Sequence, residues 1–227
     1  HARLIEFLIH EGYDQYYKMA AEKGHVESMI DYSKWLLSRK DIDKNDEIKE
    51  IFLKKASDRS DIRAIYLYAY ILYKKKGFKD GIKYIKLAAD SGIIDAILSY
   101  CYILSSRADG IEFDKDEIIK YYKIAIDKGC DKAYGCLATF LDLHCDDSNT
   151  EEIVKYYEIG ISKGDDGAMN NYAYMLQHGN HGVTVDIDRA IDLYKKAIEK
   201  GNTAAKNNLA IIISCGIGGV EEDDEKV

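Results

Sequence analysis

The chain has 227 residues, 47% of them hydrophobic and 32% charged, which is typical of a folded protein. Its 40 acidic residues outnumber the 32 basic ones, so the net charge of −8 has the wrong overall sign for non-specific binding to nucleic acid phosphates. No stretch approaches the ~20 apolar residues of a membrane-spanning helix, and proline, the usual helix breaker, is absent.

A repeat of 32 to 37 residues runs through the chain in six copies. It is seen most easily from one anchor position, which is glycine in five copies and serine in the second. A period of this length is typical of architectures in which consecutive copies stack on one another. The anchors are Gly24, Ser60, Gly92, Gly129, Gly164 and Gly201.

Columns of small and apolar residues keep register with the anchor. A small residue stands four positions before it, at Ala20, Ala56, Ala88, Ala125, Gly160 and Ala197. Another stands four positions after it, at Ser28, Ala64, Ala96, Ala133, Ala168 and Ala205. Intervals of three and four indicate amphipathic helices, and a glycine anchor can adopt the left-handed conformation that ends a helix. Each copy is therefore predicted to be an antiparallel helix pair.

Neighbouring pairs should stack, because a lone pair cannot bury both of its apolar faces. We expect one array over residues 1–227, with a partial helix at 1–12 and the start of a further repeat at 221–227, so that the array is cut at both ends. The predicted repeats are 13–42, 47–78, 80–113, 114–149, 150–185 and 186–220.

Tyrosine is abundant, with 19 copies. Four of them stand three positions before the small residue of the first helix, where an aromatic ring can pack on the next repeat. We expect these four to be core residues: Tyr17, Tyr122, Tyr157 and Tyr194. Asp114 and Asp186 precede predicted helices, and each is expected to cap the helix that follows.

The last two copies carry the most specific pattern. Residues 177–210 read QHGNHGVTVDIDRAIDLYKKAIEKGNTAAKNNLA, a glycine-valine loop and an aspartate followed by A-x-x-x-Y-x-x-A-x-x-x-G-x-x-x-A-x-x-x-L. This pattern resembles the Sel-one-like repeat (SLR), a relative of the tetratricopeptide repeat. The varying period and the lack of proline favour the Sel-one-like type.

The resemblance implies an all-α fold, a right-handed superhelical α-solenoid of antiparallel helix pairs. It also implies a non-enzymatic protein-protein interaction scaffold or adaptor that binds a protein or peptide on the solenoid surface. No catalytic, cofactor-binding or metal-binding residue is expected, and neither the partner nor the oligomeric state follows from the pattern.

One polar column suggests where a partner binds. Lysines recur at positions i and i+3 of the predicted first helices, which are neighbours on one helix face. Stacked first helices would align them into a stripe able to bind an acidic protein segment. The stripe consists of Lys83, Lys86, Lys120, Lys123 and Lys155. The alternative, that these lysines only keep the helices hydrated, remains open.

Two other classes of function are alternatives. A nucleic-acid binder would use the same lysine stripe, against the overall charge. A metal-dependent or hydrolytic enzyme would resemble the cysteine-rich relatives that are associated with β-lactam hydrolysis, but their regular cysteine pair is missing here. Possible zinc ligands of the fourth copy, without the paired C-x-x-C spacing, are Cys130, Cys136, His144 and Cys145.

The remaining polar features have ordinary structural explanations. CGIGGV at 215–220 lacks the preceding strand and the lysine of a phosphate-binding loop. His178 and His181 are expected to be exposed loop residues, and Asp165 and Asp166 to be solvated acids of a loop. The five cysteines are irregularly spaced, which favours reduced thiols and an intracellular setting.

Overall fold

The computed structural model describes residues 14–38, 45–107, 110–144 and 149–214. Within these ranges the chain forms twelve α-helices and one short 3-10 helix, and no strand. The chain divides into two compact units, a first unit over residues 1–113 and a second unit over 114–227. The predicted all-α class is confirmed, and within each unit consecutive helix pairs pack together.

Each unit contributes three helix pairs, and a turn of three or four residues joins the two helices of a pair. The first unit consists of α1 Asp14–Glu22, α2 Val26–Ser38, α3 Asn45–Ser57, α4 Ile62–Lys76, α5 Phe78–Asp90 and α6 Ile94–Ser106. The second unit consists of α7 Lys115–Asp127, α8 Lys132–His144, α9 Thr150–Ser162, α10 Asp166–His178, α11 Ile187–Glu199 and α12 Thr203–Ser214. The expected repeat boundaries and the partial repeats at 1–12 and 221–227 remain predictions, and both partial repeats lie outside the described residues.

The anchor position ends every first helix in the same way. All six anchors have positive φ, from 61° at Ser60 to 92° at Gly201. The residue after the anchor donates its backbone N–H to the carbonyl of the small residue four positions before the anchor, as from Asp165 to Gly160 at 3.0 Å and from Asp61 to Ala56 at 3.4 Å. This bond closes the last turn and reverses the chain. The predicted helix end is therefore confirmed, including in the copy without glycine.

The small residues of the two columns are buried, as predicted. Eleven of the twelve are buried, and Ala20 is half-buried. Their burial lets helices approach closely, most clearly where α8, α9 and α10 meet in the second unit. There a Cβ added to Gly160 would lie 3.0 Å from the Cβ of Ala168 and 3.3 Å from the backbone nitrogen of Gly135. The crossing therefore has no room for a side chain at Gly160 or for one larger than a methyl group at position 168.

Aromatic side chains fill the space around these contacts. Tyr157 and Tyr194 are fully buried and Tyr122 is 7% exposed, while Tyr17 packs half-buried against the core of the first unit. The expectation for these four tyrosines is confirmed. Burial raises the pKa of Tyr157 and of Tyr194 above the ordinary value, so both hydroxyls remain protonated and act as hydrogen-bond donors.

Aspartates begin several of the helices. Asp114 and Asp186 accept the backbone N–H groups of Glu117 and Arg189, each at 2.9 Å, which confirms the two predicted caps. Asp165 also caps a helix, accepting from Gly167 at 2.9 Å and from the next residue at 3.3 Å. Asp165 lies in the turn before α10, as predicted, but it is a half-buried cap rather than a solvated acid, because its carboxylate satisfies the free N–H groups at the start of α10.

Ser60, the anchor that adopts a left-handed conformation without being glycine, allows a test of the turn. Ser60→Gly should raise the free energy of unfolding by about 0.5–1 kcal/mol. A residue with a Cβ is sterically strained in the left-handed conformation, whereas glycine is not. Urea denaturation followed by circular dichroism measures this change. Ser91 is the matched control, since it also ends a first helix but has φ −77°. Ser91→Gly should lower stability, and a gain there would contradict the explanation.

The close approach of α8 and α10 allows a second test. Gly135→Ala should destabilise the protein by about 1–3 kcal/mol, although alanine favours helix, because the added Cβ would overlap the carboxylate of Asp165 and lie 3.1 Å from the Cβ of Ala168. Gly167→Ala is the control, since its Cβ would meet only one oxygen of Asp165, at 3.2 Å. Equal unfolding midpoints for the two variants in urea would contradict the crowded crossing.

Candidate functional site

The lysines of the predicted stripe lie on first helices, and all five are exposed. In the first unit, Lys83 and Lys86 stand one turn apart on α5. Their amino groups lie over aromatic rings, that of Lys83 4.9 Å from the ring centre of Tyr84 and that of Lys86 5.6 Å from that of Tyr100. These cation–π contacts orient the two lysines while leaving them accessible to a partner.

The other three lysines belong to the second unit. Lys120 lies 6.0 Å from the ring centre of Tyr121, and the amino group of Lys123 is 3.7 Å from a carboxylate oxygen of Glu152 on α9. Lys155 is one turn from Glu152 on the same helix. Lys123 and Lys155 therefore flank one acidic side chain. The alignment of all five lysines into one stripe, and its role in binding, remain predictions.

A groove on the second helices of the second unit is lined by several kinds of polar side chain, namely hydroxyl, amide, carboxylate and imidazole groups. It has a volume of about 590 Å³ and is lined by side chains of α8, α10 and α12 and of the loop after α10. Its floor contains Thr139, Asn170, Asn171 and Asn208, and Tyr174 forms part of its wall. Asn170 is only 8% exposed, an unusual degree of burial for an amide side chain.

The floor side chains form a continuous line of hydrogen bonds across the three helices. The amide nitrogen of Asn208 donates to the side-chain oxygen of Asn170 at 3.0 Å, and that of Asn170 donates to the oxygen of Asn171 at 2.9 Å. Asn171 in turn donates to the hydroxyl of Thr139 at 2.9 Å. We call these four residues the amide ladder. Each helix contributes at least one of its members.

One end of the groove is closed by an acid–histidine contact. A carboxylate oxygen of Asp142 lies 2.9 Å from Nε2 of His181, and the other accepts the Tyr157 hydroxyl at 3.0 Å. The Thr150 hydroxyl donates to the carbonyl of His181 at 2.8 Å. These contacts attach the loop after α10 to α8 and hold His181 at φ 54°. They give the groove a fixed end.

This arrangement corrects one prediction. His181 is not an exposed loop residue, because its side chain is only 12% exposed and is paired with Asp142. His178 is exposed, as expected, but it is the last residue of α10 rather than a loop residue, and its ring lies 4.1 Å from that of Tyr174. Asp166 was also wrongly predicted to be a solvated loop acid, since it begins α10 and its carboxylate accepts from the amide of Asn202 at 2.9 Å.

The repeat register contained a signal for the groove. Asn171 and Asn208 both stand seven positions after the anchor, so they occupy equivalent places on neighbouring second helices. Ten positions after the anchor stand Tyr70, Tyr102 and Tyr174, which are 45%, 68% and 45% exposed. The sequence reasoning concentrated on first helices and treated tyrosine as a core residue, and it therefore missed both columns.

In the first unit the tyrosine column lines an apolar pocket of about 380 Å³ between α4, α5 and α6. Tyr70 and Tyr102 form its rim with Tyr66 and Tyr73, and Ile85 lies at its base. The hydroxyl of Tyr66 is 3.2 Å from that of Ser99. The pocket suits an apolar side chain, whereas the groove of the second unit suits polar groups.

The candidate metal ligands are not brought together in the part of the chain that is described. Burial raises the pKa of the Cys136 thiol, Cys130 is half-buried, and the ring of His144 lies 4.7 Å from that of Phe140. Cys145 and the CGIGGV segment lie outside the described residues. Among the described residues no cluster of three potential ligands occurs, and no helix is long and apolar enough to cross a membrane.

Comparison with known proteins supports the repeat. A family model described as the Sel1 repeat matches residues 15–25, 167–202 and 203–226. A Sel1 repeat protein from Oxalobacter formigenes has a similar structure, with a TM-score of 0.77 and 24% identity over 97% of this chain and 90% of its own. No curated protein matches the chain.

A protective antigen of uropathogenic Escherichia coli strains that displays an SLR fold is also similar, with a TM-score of 0.76 and 20% identity over 92% of this chain. This chain spans 45% of the length of that protein. Helix pairs whose first helix ends at a left-handed anchor, and which pack in succession, are typical of an α-solenoid repeat protein. The matched Sel1 repeats and these two similar folds confirm the resemblance to the Sel1-like repeat seen in the sequence.

Proposed function

We propose that this chain is a non-enzymatic interaction scaffold that binds a protein or peptide partner on the surface of its helix pairs. Sel1-repeat proteins generally serve as protein-interaction scaffolds. The observation that carries the proposal for this chain is the groove of the second unit, where three second helices present amide, hydroxyl and aromatic groups to solvent. A recess of this volume is large enough to bury several side chains of a ligand.

The chemistry of the groove supports binding rather than catalysis. The Thr139 hydroxyl donates to the Gly135 carbonyl at 2.9 Å and accepts from Asn171, so it is not paired with a general base. Asp142 faces His181 and the Tyr157 hydroxyl instead of an accessible nucleophile. The polar groups of the groove thus hold one another in place, as a preorganised binding surface requires.

The lysine stripe is the proposed second contact, for an acidic segment of the partner. Its lysines are exposed, and cation–π contacts hold three of them. Charge complementarity of this kind contributes mainly to association rate and specificity. The chain's net charge of −8 opposes a long polyanion such as a nucleic acid more than a short acidic segment that contacts only the stripe, which favours a protein partner.

A peptide selection tests the proposal directly. The immobilised chain is screened against a phage-displayed library of random twelve-residue peptides, and enriched peptides are synthesised for fluorescence anisotropy. We expect saturable binding with a micromolar dissociation constant and recovery of the peptide with unchanged mass. Failure to enrich any sequence, or cleavage of the bound peptide, would contradict a non-enzymatic scaffold.

Charge reversal tests the stripe. Acidic peptides from that selection should lose about tenfold or more in affinity when four stripe lysines become glutamate, because attraction turns into repulsion. The four substituted residues are Lys83, Lys86, Lys120 and Lys123. The control carries the same change in net charge at exposed lysines elsewhere, namely Lys34, Lys55, Lys128 and Lys206. Equal losses in both variants would show that only net charge matters.

A further inference from the structure

The amide ladder has hydrogen-bonding capacity left over. An asparagine side chain offers two N–H donors and an oxygen with two lone pairs. In Asn170, Asn171 and Asn208 one N–H of each amide is used within the ladder. The second N–H of each, and the side-chain oxygen of Asn208, have no protein partner among the described residues. All three asparagines line the groove.

A main-chain peptide group is the natural complement of these amides. It carries one N–H donor and one carbonyl acceptor, so a side-chain amide can satisfy both at once. The cost of leaving Asn170 buried without its full set of hydrogen bonds is relieved when a ligand supplies the missing acceptor. Because every residue other than proline offers the same two groups, this mode of recognition depends little on the ligand's sequence.

The donor and acceptor pattern favours an extended ligand over a helical one. A helix has already paired its backbone groups internally and would need an apolar groove, as helix-in-groove recognition does. An extended segment keeps its N–H and C=O groups free. It rises about 3.3 Å per residue, so about three residues pass from one helix to the next when packed helices are about 8–10 Å apart. Three second helices therefore accommodate about six residues.

The walls and the charge of the groove agree with this ligand. Tyr174 is 45% exposed and Leu143 is 71% exposed beside the ladder, so each can cover an apolar side chain of the ligand. The ionisable pair that lines the groove, Asp142 and His181, is hydrogen-bonded within itself. The groove therefore offers dipoles rather than an uncompensated charge, which suits a neutral peptide backbone better than a phosphate.

We propose that the groove of the second unit binds an extended peptide segment of the partner by its main chain, through hydrogen bonds from Asn170, Asn171 and Asn208. This inference rests on the proposed scaffold function and assigns the form in which the partner is held. The partner presents an unstructured stretch of about six residues, and Tyr174 and Leu143 contact its side chains.

The test uses synthetic twelve-residue peptides enriched on the full chain. Combined Asn171→Ala and Asn208→Ala substitution should weaken binding about tenfold or more, because each lost hydrogen bond leaves a backbone group of the ligand unpaired. Asn207→Ala is the matched control, since Asn207 is exposed on the same helix and does not line the groove. It should leave the dissociation constant unchanged.

A change in the ligand makes the test independent of protein folding. N-methylation of alternate backbone nitrogens removes donors without altering the side chains, and it should weaken binding to the intact chain by a similar factor. Thermal melting of each variant checks its fold. If the asparagine variants have a lower melting temperature than the unchanged chain, the affinities of the N-methylated peptides for the unchanged chain are the test of main-chain recognition.

The outcomes separate this inference from the proposed function. Peptides that bind the chain but tolerate both the asparagine substitutions and N-methylation would overturn main-chain recognition while leaving the scaffold proposal intact. A bound peptide that is helical by NMR would overturn it as well. Failure of the chain to enrich any peptide would overturn both. Sensitivity to both changes, with Asn207→Ala unaffected, would establish the extended mode.

Discussion

The close approach of consecutive helices at small residues is the constraint on which the rest of each unit depends. Gly135, Gly160 and Ala168 bring three helices of the second unit so close that a Cβ added at either glycine would lie 3.0–3.1 Å from the Cβ of Ala168. The column to which Gly160 belongs also supplies the carbonyl that closes each first helix, since this carbonyl accepts the backbone N–H of the residue after the anchor. One pair of columns thus sets both where the chain turns and how tightly the next helix packs.

The groove follows from that spacing. Only when α8, α10 and α12 lie side by side can Asn208, Asn170, Asn171 and Thr139 reach one another through hydrogen bonds of 2.9–3.0 Å. The short crossing also positions Asp165, which caps α10 while its carboxylate lies against Gly135. Packing in the interior therefore preorganises polar groups at the surface, and a preorganised surface loses less entropy on binding a ligand.

The accuracy of the sequence-based predictions differed between core and surface. The anchors and both columns of small residues were found from spacing alone, because burial at a crossing admits few residue types and so leaves a regular pattern. Polar positions outside these crossings carry no such restriction, because their partners can come from distant parts of the chain. His181 and Asp166 were misjudged for this reason, since their partners, Asp142 and Asn202, are 39 and 36 residues distant in the chain.

The sequence by itself determined the helix pairs, the left-handed ends of the first helices and the residues that pack at their crossings. These properties depend on local backbone geometry and on a repeating apolar pattern, both of which can be recognised in the amino-acid sequence. Only the tertiary structure decided that amides from α10 and α12 join a hydroxyl from α8 in one groove. The register places Asn171 and Asn208 at equivalent positions, but their meeting with Asn170 and Thr139 depends on how side chains from different repeats are oriented when the helices stack.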